Sequence, residues 1–385
     1  MVIAASHVDA IRAAIRAAFR CPQTFLLAIL CDSSRDRTRG DRGAVSRELT
    51  QKILGDDRVA LMDAVQCWHD GMLNMTYLGL RFSHYINGVA MHHGDVSQGM
   101  FPGYPVHAIT NGVDAGRWTS PEFQKLFDRH IPEWRRDSLY LRYAIKIDAA
   151  EIGATHRAAK SALLAALHEK TGTSLNPKTL TIGFARRAAQ YKRMDLLFSQ
   201  LDRLRRIASQ VGPLQIVYGG KAHPKDDAGK AEIRAVFEAA AALRGAIELV
   251  YVENYDAQWA ELLTSGVDVW LNTPHRPFEA SGTSGMKAAM NGVPSLSILD
   301  GWWMEGCVEG VTGWAIGSEA LPDDDQGDEI ASLYDKLERA VVPLYYGSTG
   351  RYFELMSSVI ALNASFFNTQ RMMWQYVDNA YQLRE

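Results

Sequence analysis

The sequence predicts an α/β protein: a Rossmann-like, doubly wound parallel sheet in the second half of the chain, preceded by a mainly helical part. Three observations carry that prediction. Beyond residue 175 short apolar runs alternate with helix-like segments. Two of those runs lead into strings that are basic or rich in small residues, the kind that meet ligands at strand ends. From roughly residue 50 to 98 the composition suits helices instead.

The strand candidates are Leu180 to Phe184, Leu214 to Tyr218, Ile247 to Val252, Val267 to Leu271 and Ser295 to Leu299. Between them, Met194 to Ser209, Gly229 to Leu243 and Asp256 to Ser265 read as helices. Strand and helix in alternation imply parallel strands covered on both faces, with ligands at their carboxyl ends. Earlier in the chain, Met72 to Ile86 carries apolar residues at helical spacing. Arg12, Arg16 and Arg20 recur every four residues, which favours an amphipathic helix packed on the protein over a signal or transit peptide. Residues 32 to 48 mix both charge signs with glycine and serine and read as a mobile, solvated junction. Asp323 to Asp325 reads as a solvated turn, and no internal repeat is found.

Composition excludes more than it identifies. With 47% hydrophobic residues, 22% charged residues and a formal net charge of −3, the 385-residue chain reads as a soluble globular protein with no general pull toward nucleic acid or an acidic membrane. The apolar stretch Phe25 to Cys31 is far short of the ~20 residues that span a bilayer. Cys21, Cys31, Cys67 and Cys307 are widely spaced, without zinc or redox spacing, and read as reduced thiols of a cytoplasmic protein.

Two strings carry chemistry. Glu279-Ala280-Ser281-Gly282-Thr283-Ser284-Gly285-Met286-Lys287 follows one strand and opens a helix; small residues there let backbone N–H groups approach an anion, with a lysine one turn on. Its plainer reading is a tight strand-to-helix turn. Gly183-Phe184-Ala185-Arg186-Arg187-Ala188-Ala189-Gln190-Tyr191-Lys192-Arg193 leaves the first strand with four cations, which would converge on the ligand crevice. Its plainer reading is a solvated basic helix start.

The first string resembles the cofactor-site motif of the α-glucan (glycogen, starch, maltodextrin) phosphorylases, Glu-Ala-Ser-Gly-Thr-x-x-Met-Lys, and the second resembles that family's basic segment ending in Tyr-Lys-Arg. Further matches run in family order: Asn87-Gly88-Val89-Ala90, His93-Gly94-Asp95, Thr110-Asn111-Gly112, Gly219-Gly220-Lys221-Ala222, Glu253-Asn254-Tyr255 and Leu299-Asp300-Gly301-Trp302-Trp303. Singly, His92 and His93 read as packing or surface histidines, and Trp302 and Trp303 as core.

The resemblance covers about residues 70 to 385 and implies the carboxyl-terminal lobe of a GT-B glycosyltransferase with a truncated amino-terminal part. The implied domains are 1–100, helical with the mobile loop 32–48; 101–365, binding cofactor and phosphate; and 366–385, a closing helix that crosses back to the other lobe. Lys287 would bind pyridoxal 5'-phosphate covalently, with Thr283, Gly282, Ser284, Arg186 and Tyr255 around the cofactor. Glu279, Ser281 and Gly282 would meet the glucosyl unit, and Arg187 and Lys192 the substrate phosphate. The implied reaction is phosphorolysis of α-1,4-glucan by inorganic phosphate to glucose 1-phosphate, with retention.

Sugar-nucleotide synthases of related architecture carry a Glu-x7-Glu element, and Lys287 at its second position disfavours them. Family members are longer, and their amino-terminal lobe supplies a glycine-rich loop, a sugar-contacting histidine and a gate loop; the residues before 70 leave no room for a complete second Rossmann domain, and neither His7, His69 nor any other early residue is assigned those roles. Three readings follow: a working phosphorylase with a reduced lobe, a complementing chain or a homo-oligomer; a non-catalytic module binding pyridoxal phosphate or glucan; or a fragment of a longer gene. No metal site is expected.

Overall fold

A computed structural model describes residues 27–29, 45–64, 67–69, 71–318 and 326–381. The chain divides into two compact units, one comprising residues 110–374 and the other the residues up to 109 together with those from 375 onward. The expected amphipathic helix at 11–20, Cys21, Cys31 and the turn at 323–325 lie outside the described residues.

The larger unit is built on six parallel strands: β1 (Leu180–Ala185), β2 (Leu214–Gly219), β3 (Glu248–Val252), β4 (Val269–Asn272), β5 (Ser295–Ile298) and β6 (Gly313–Ile316). Their spatial order is β6-β5-β4-β1-β2-β3, the doubly wound arrangement expected from the sequence. Every residue of β1, β2, β4 and β5 is buried, because helices cover both faces and the strands read as continuous apolar runs. Alternation still sorts them: Ile182, Phe184, Ile216 and Tyr218 pack into one core, Ala185, Val217 and Trp270 into another on the opposite face. The sequence reading missed β6, where Gly313 and Ala315 leave Trp314 and Ile316 as isolated large apolar residues rather than an apolar run.

Helix α1 (Ala149–Thr171) precedes the sheet, capped by Asp148, whose side chain accepts from Ala150 N, and ended by Gly172 at φ 71°. Among the covering helices, α2 (Asp227–Leu243) and α3 (Ala257–Gly266) fall within two residues of the expected spans. The expected helix Met194 to Ser209 is instead broken into a 3-10 turn at Leu196–Phe198, a short α-helix at Leu201–Arg206 and a π turn at Ile207–Val211. Tyr334 stands at the first break, donating to Leu197 O and accepting from Gln200 N.

The smaller unit holds helices at Arg47–Leu54, Asp56–Ala64, Met75–Phe82 and Met91–Met100. It also holds what the helical reading left out: a parallel set of Leu27–Ile29, Tyr85–Gly88 and His107–Ala108, and an antiparallel set of Val45–Ser46, Met72–Leu73 and Trp68–His69. The run Met72 to Ile86 is therefore strand, helix and strand; Asn74 caps the helix by accepting from Thr76 N and Tyr77 N. The expected loop 32–48 is described only from residue 45, where it is already strand and then helix. His93 is 1% exposed and its Nδ1 accepts from Val89 N, a packing role. The closing segment forms an α-helix at Thr369–Tyr376 and a π turn at Val377–Tyr381.

No described helix is long and apolar enough to cross a membrane.

Candidate active site

Strand order reverses between β1 and β4: the chain leaves β1 toward β2 and leaves β4 toward β5, on opposite sides. Connections that diverge in this way open a crevice at the strands' carboxyl ends. The loop after β1 and the loop after β4 both begin there, and they carry the two strings singled out above.

The basic loop is anchored first. Arg186 N donates to Gly219 O at 3.0 Å and Ala188 N to Lys221 O at 3.0 Å, carrying the β1–β2 pairing past the strand ends. The Arg186 guanidinium then reaches across to Asn272 Oδ1, at the last residue of β4, and to Glu279 Oε2 at 2.7 Å. Lys192 Nζ donates to the same Oε2 at 2.5 Å. Two cations thus share one carboxylate that is 6% exposed.

Burial alone would raise the Glu279 pKa, but Arg186 and Lys192 outweigh it and hold the carboxylate below the ordinary range. The cost falls on the lysine: burial, and then Arg186, push Lys192 down to about 7. A second anion placed against this cluster would relieve both penalties and keep Lys192 protonated. Beside it, burial raises Asp300 to about 7, although its carboxyl accepts from Glu279 N at 2.9 Å and Gly301 N at 2.8 Å. Asp300 therefore ties the Glu279 backbone to the end of β5.

Not every cation of the basic string converges. Arg187 is exposed on the loop. Arg193 turns away into the protein, donating to Thr273 O at 3.1 Å and Pro274 O at 2.7 Å and pairing with Glu329 at 2.6 Å. Its backbone at φ 45° aims it there, so Arg193 fastens the two loops together and the expected fourfold convergence becomes Arg186 and Lys192 around Glu279.

The loop from Glu279 ends in the short helix α4 (Thr283–Ala289). Gly282 precedes it at φ 89°, a left-handed conformation that costs other residues about 1–2 kcal/mol. A Cβ on Gly285 would lie 2.6 Å from Trp302 Cζ2, so glycine lets the helix settle on that ring. Trp302 and Trp303 are 2% and 0% exposed, core residues as expected. The Ser284 hydroxyl accepts from Trp270 Nε1 at 3.2 Å, and Thr283 is half-buried at the helix start.

Lys287 is half-buried, with Nζ 3.8 Å from the centre of the Trp118 ring. It pairs with no carboxylate among the described residues, and burial, then the Arg117 charge, lower its pKa. That raises the fraction of neutral, nucleophilic amine. Tyr255 packs against Gly219, and burial, resisted by the Arg186 charge, pushes its hydroxyl up to about 12, keeping it a neutral donor.

The sequence model of the family described as carbohydrate phosphorylase matches residues 42–309, a span that holds both loops. The chain belongs to that family. It is 40% identical over 337 residues to a maltodextrin phosphorylase of Thermococcus litoralis, covering 80% of this chain and 40% of that protein. It is 35% identical over 346 residues to a glycogen phosphorylase of Aquifex aeolicus, covering 80% and 49%, and 34% identical over 345 residues to one of Mycobacterium tuberculosis, covering 80% and 40%. The chain thus spans less than half the length of these carbohydrate phosphorylases.

Sequence reasoning missed four residues that shape this family member's site. Asn272, Asp300, Trp118 and Asn291 were assigned no role, although Asp300 lies inside a matched string and Trp118 follows another, Thr110-Asn111-Gly112, by six residues. Trp118 and Asn291 act through contacts distant in sequence, which no local pattern records.

Proposed function

We propose that this chain carries the cofactor- and phosphate-binding half of an α-glucan phosphorylase, which uses pyridoxal phosphate to transfer a glucosyl unit from α-1,4-glucan to inorganic phosphate. The supporting observation is the pair of cations, half-buried Arg186 and buried Lys192, at the point where strand order reverses, together with a lysine on α4, Lys287, whose amine has no acidic partner among the described residues.

Two buried polar atoms support the fit to pyridoxal phosphate. Arg186 Nε and Ser281 Oγ have no hydrogen-bond partner among the described residues, an arrangement that an anionic group with several oxygens would complete. Lys287 would hold the cofactor, with Gly282, Thr283, Ser284 and Tyr255 around it and Arg186 toward its phosphate. When bound, the cofactor supplies a phosphate able to exchange a proton with the substrate phosphate.

The remaining chemistry belongs to the chain. Arg187, exposed at the mouth of the basic loop, is free to take a planar, bidentate grip on substrate phosphate, while Lys192 supplies a compact charge. In phosphorolysis the bond from the sugar anomeric carbon to the glycosidic oxygen breaks, a phosphate oxygen bonds that carbon, and the departing oxygen takes a proton from the substrate phosphate. Lys192, near neutrality in its resting cluster, gains its charge as phosphate arrives and stabilises the negative charge left by that proton. Glu279, Ser281 and Gly282 line the loop that would meet the sugar.

A second reading, cofactor binding without turnover by this chain alone, is favoured by its 40% and 49% shares of the matched relatives. One experiment separates the two. The protein is incubated with pyridoxal phosphate, reduced with borohydride, mapped by peptide, and assayed unreduced for phosphate-dependent release of glucose 1-phosphate. An adduct on Lys287, lost in Lys287→Ala, together with release supports the first reading. The adduct without release supports the second, and absence of the adduct overturns both.

A further inference from the structure

Asn291 is an amide fully buried among apolar side chains, two residues beyond the helix that carries Lys287. Its neighbours Met286 and Met290 belong to the core that includes Phe123, Trp302 and Ile360. A leucine would fill such a place without polar groups to satisfy. The amide instead uses both hydrogens and an oxygen lone pair. Nδ2 donates to Trp118 O at 2.8 Å and to Lys287 O at 3.2 Å, and Oδ1 accepts from Ser120 N at 2.7 Å.

These bonds bracket one short peptide. Trp118 O and Ser120 N lie at its two ends, and both are tied to the side chain that also holds the Lys287 carbonyl. Residues 118 and 287 are far apart in sequence, and helix Thr283–Ala289 is too short to define by itself where a ring would sit over its lysine. The outcome of the bracket is the placement of the Trp118 ring 3.8 Å from Lys287 Nζ, with Arg117 alongside.

We propose that Asn291 is a positioning residue for Lys287: by clamping the Trp118–Ser120 peptide to the lysine helix it holds the aromatic lid over the amine and so sets the environment in which that amine reacts. Its relevance to cofactor attachment rests on the function proposed above, but the placement is a property of the chain without cofactor. Burial and the Arg117 charge lower the Lys287 pKa even though a cation gains from lying over an indole face. Releasing the peptide takes the Trp118 ring and the Arg117 charge away from the amine and lessens its burial, and the net change is upward.

The test is competitive acetylation of the full chain, without cofactor, across a pH series from about 7 to 11, reading the Lys287 peptide by mass spectrometry. In the wild type the midpoint lies below the ordinary lysine value of 10.5. In Asn291→Ala it rises toward that value, while Ile152→Val, a conservative change in the same core, leaves it in place. Should Asn291→Ala fail to fold, Ser120→Pro removes only the N–H at one end of the bracket and the Ser120 cap; Ser120 has φ −63°, which proline adopts, and the midpoint rises partway. A folded variant of either kind that titrates like the wild type overturns the proposal. The borohydride adduct is scored separately: its absence, with the midpoint shifted, removes the cofactor reading and leaves the positioning role intact.

Discussion

Strands β1 and β4 carry a buried ion cluster at each end, and the two clusters are built differently. At the amino ends, Asp268 accepts from His156 Nε2 at 2.9 Å, from Lys160 Nζ at 2.5 Å and from Thr181 N at 2.7 Å, while Lys160 also donates to Thr179 O at 2.7 Å. His156, Lys160 and Asp268 are all 1–2% exposed. At the carboxyl ends, Glu279 is shared by Arg186 and Lys192, yet Arg186 Nε and Ser281 Oγ are left without partners among the described residues. The first cluster pairs its lysine and its carboxylate inward and locks α1 to the sheet, leaving a single ring nitrogen, His156 Nδ1, without a partner among the described residues. The second keeps unspent donors beside a lysine whose pKa is pushed down to about 7, which fits the anion site proposed above.

The largest effect that would sharpen this contrast is on folding. Asp268→Ala strands Lys160 without its carboxylate and should cost about 3–5 kcal/mol in denaturant unfolding. Cofactor adduct formation on the remaining folded protein should persist, because the two clusters lie at opposite strand ends. A loss of only a few tenths of a kcal/mol would break the comparison.

The pH dependence of stability comes next. Lys192 has a folded pKa of about 7 against an ordinary 10.5, so between those values the unfolded chain binds more protons and stability rises with pH. Lys192→Met should flatten that alkaline limb, worth on the order of a few kcal/mol, and saturating phosphate should flatten it in the wild type by keeping the lysine charged.

Asp300 gives the smaller, opposite limb. Its folded pKa is about 7 against 3.8, so between those values the folded chain binds more protons and stability falls as pH rises. Asp300→Asn should remove this fall in a thermal-melt series. Asp268, whose pKa is lowered because Lys160 and His156 overcome its burial, contributes stability that is lost only as pH drops below 3.8 toward its folded value. A melt series in which Lys192→Met and Asp300→Asn leave the neutral region unchanged would show the upper cluster to be as inert as the lower.

The smallest effect is local. Gly282→Ala must hold φ 89° and bring a Cβ within 3.1 Å of Trp302 Cδ1, at a cost of about 1–2 kcal/mol. Phosphate-induced stabilisation should survive it, since Arg186 and Lys192 sit on the other loop.

How legible these regions were differs for the same reason. The upper cluster lies on strings where chemistry is concentrated in consecutive residues, and Arg186, Lys192, Glu279 and Lys287 could all be named before the structure. The lower cluster was invisible: His156 and Lys160 interrupt the buried stripe formed by Ile152, Ala159, Leu163 and Leu167, so α1 lacks the apolar spacing that announces a helix face. The same interruption explains why a 23-residue helix was not anticipated.

By itself, the amino-acid sequence determined the alternation of strand and helix in the larger unit, the positions of five of that unit's six strands, and the two strings with their family resemblance. Those features depend on neighbours along the chain, and apolar runs and glycine placement record them directly. Only the tertiary structure decided that Arg193 turns inward while Arg186 and Lys192 share Glu279, that Asp268 is neutralised across more than a hundred residues, and that Asn291 holds Trp118 over Lys287. A polar side chain can be satisfied by any partner the fold brings within about 3 Å, and that partner is set by packing rather than by spacing.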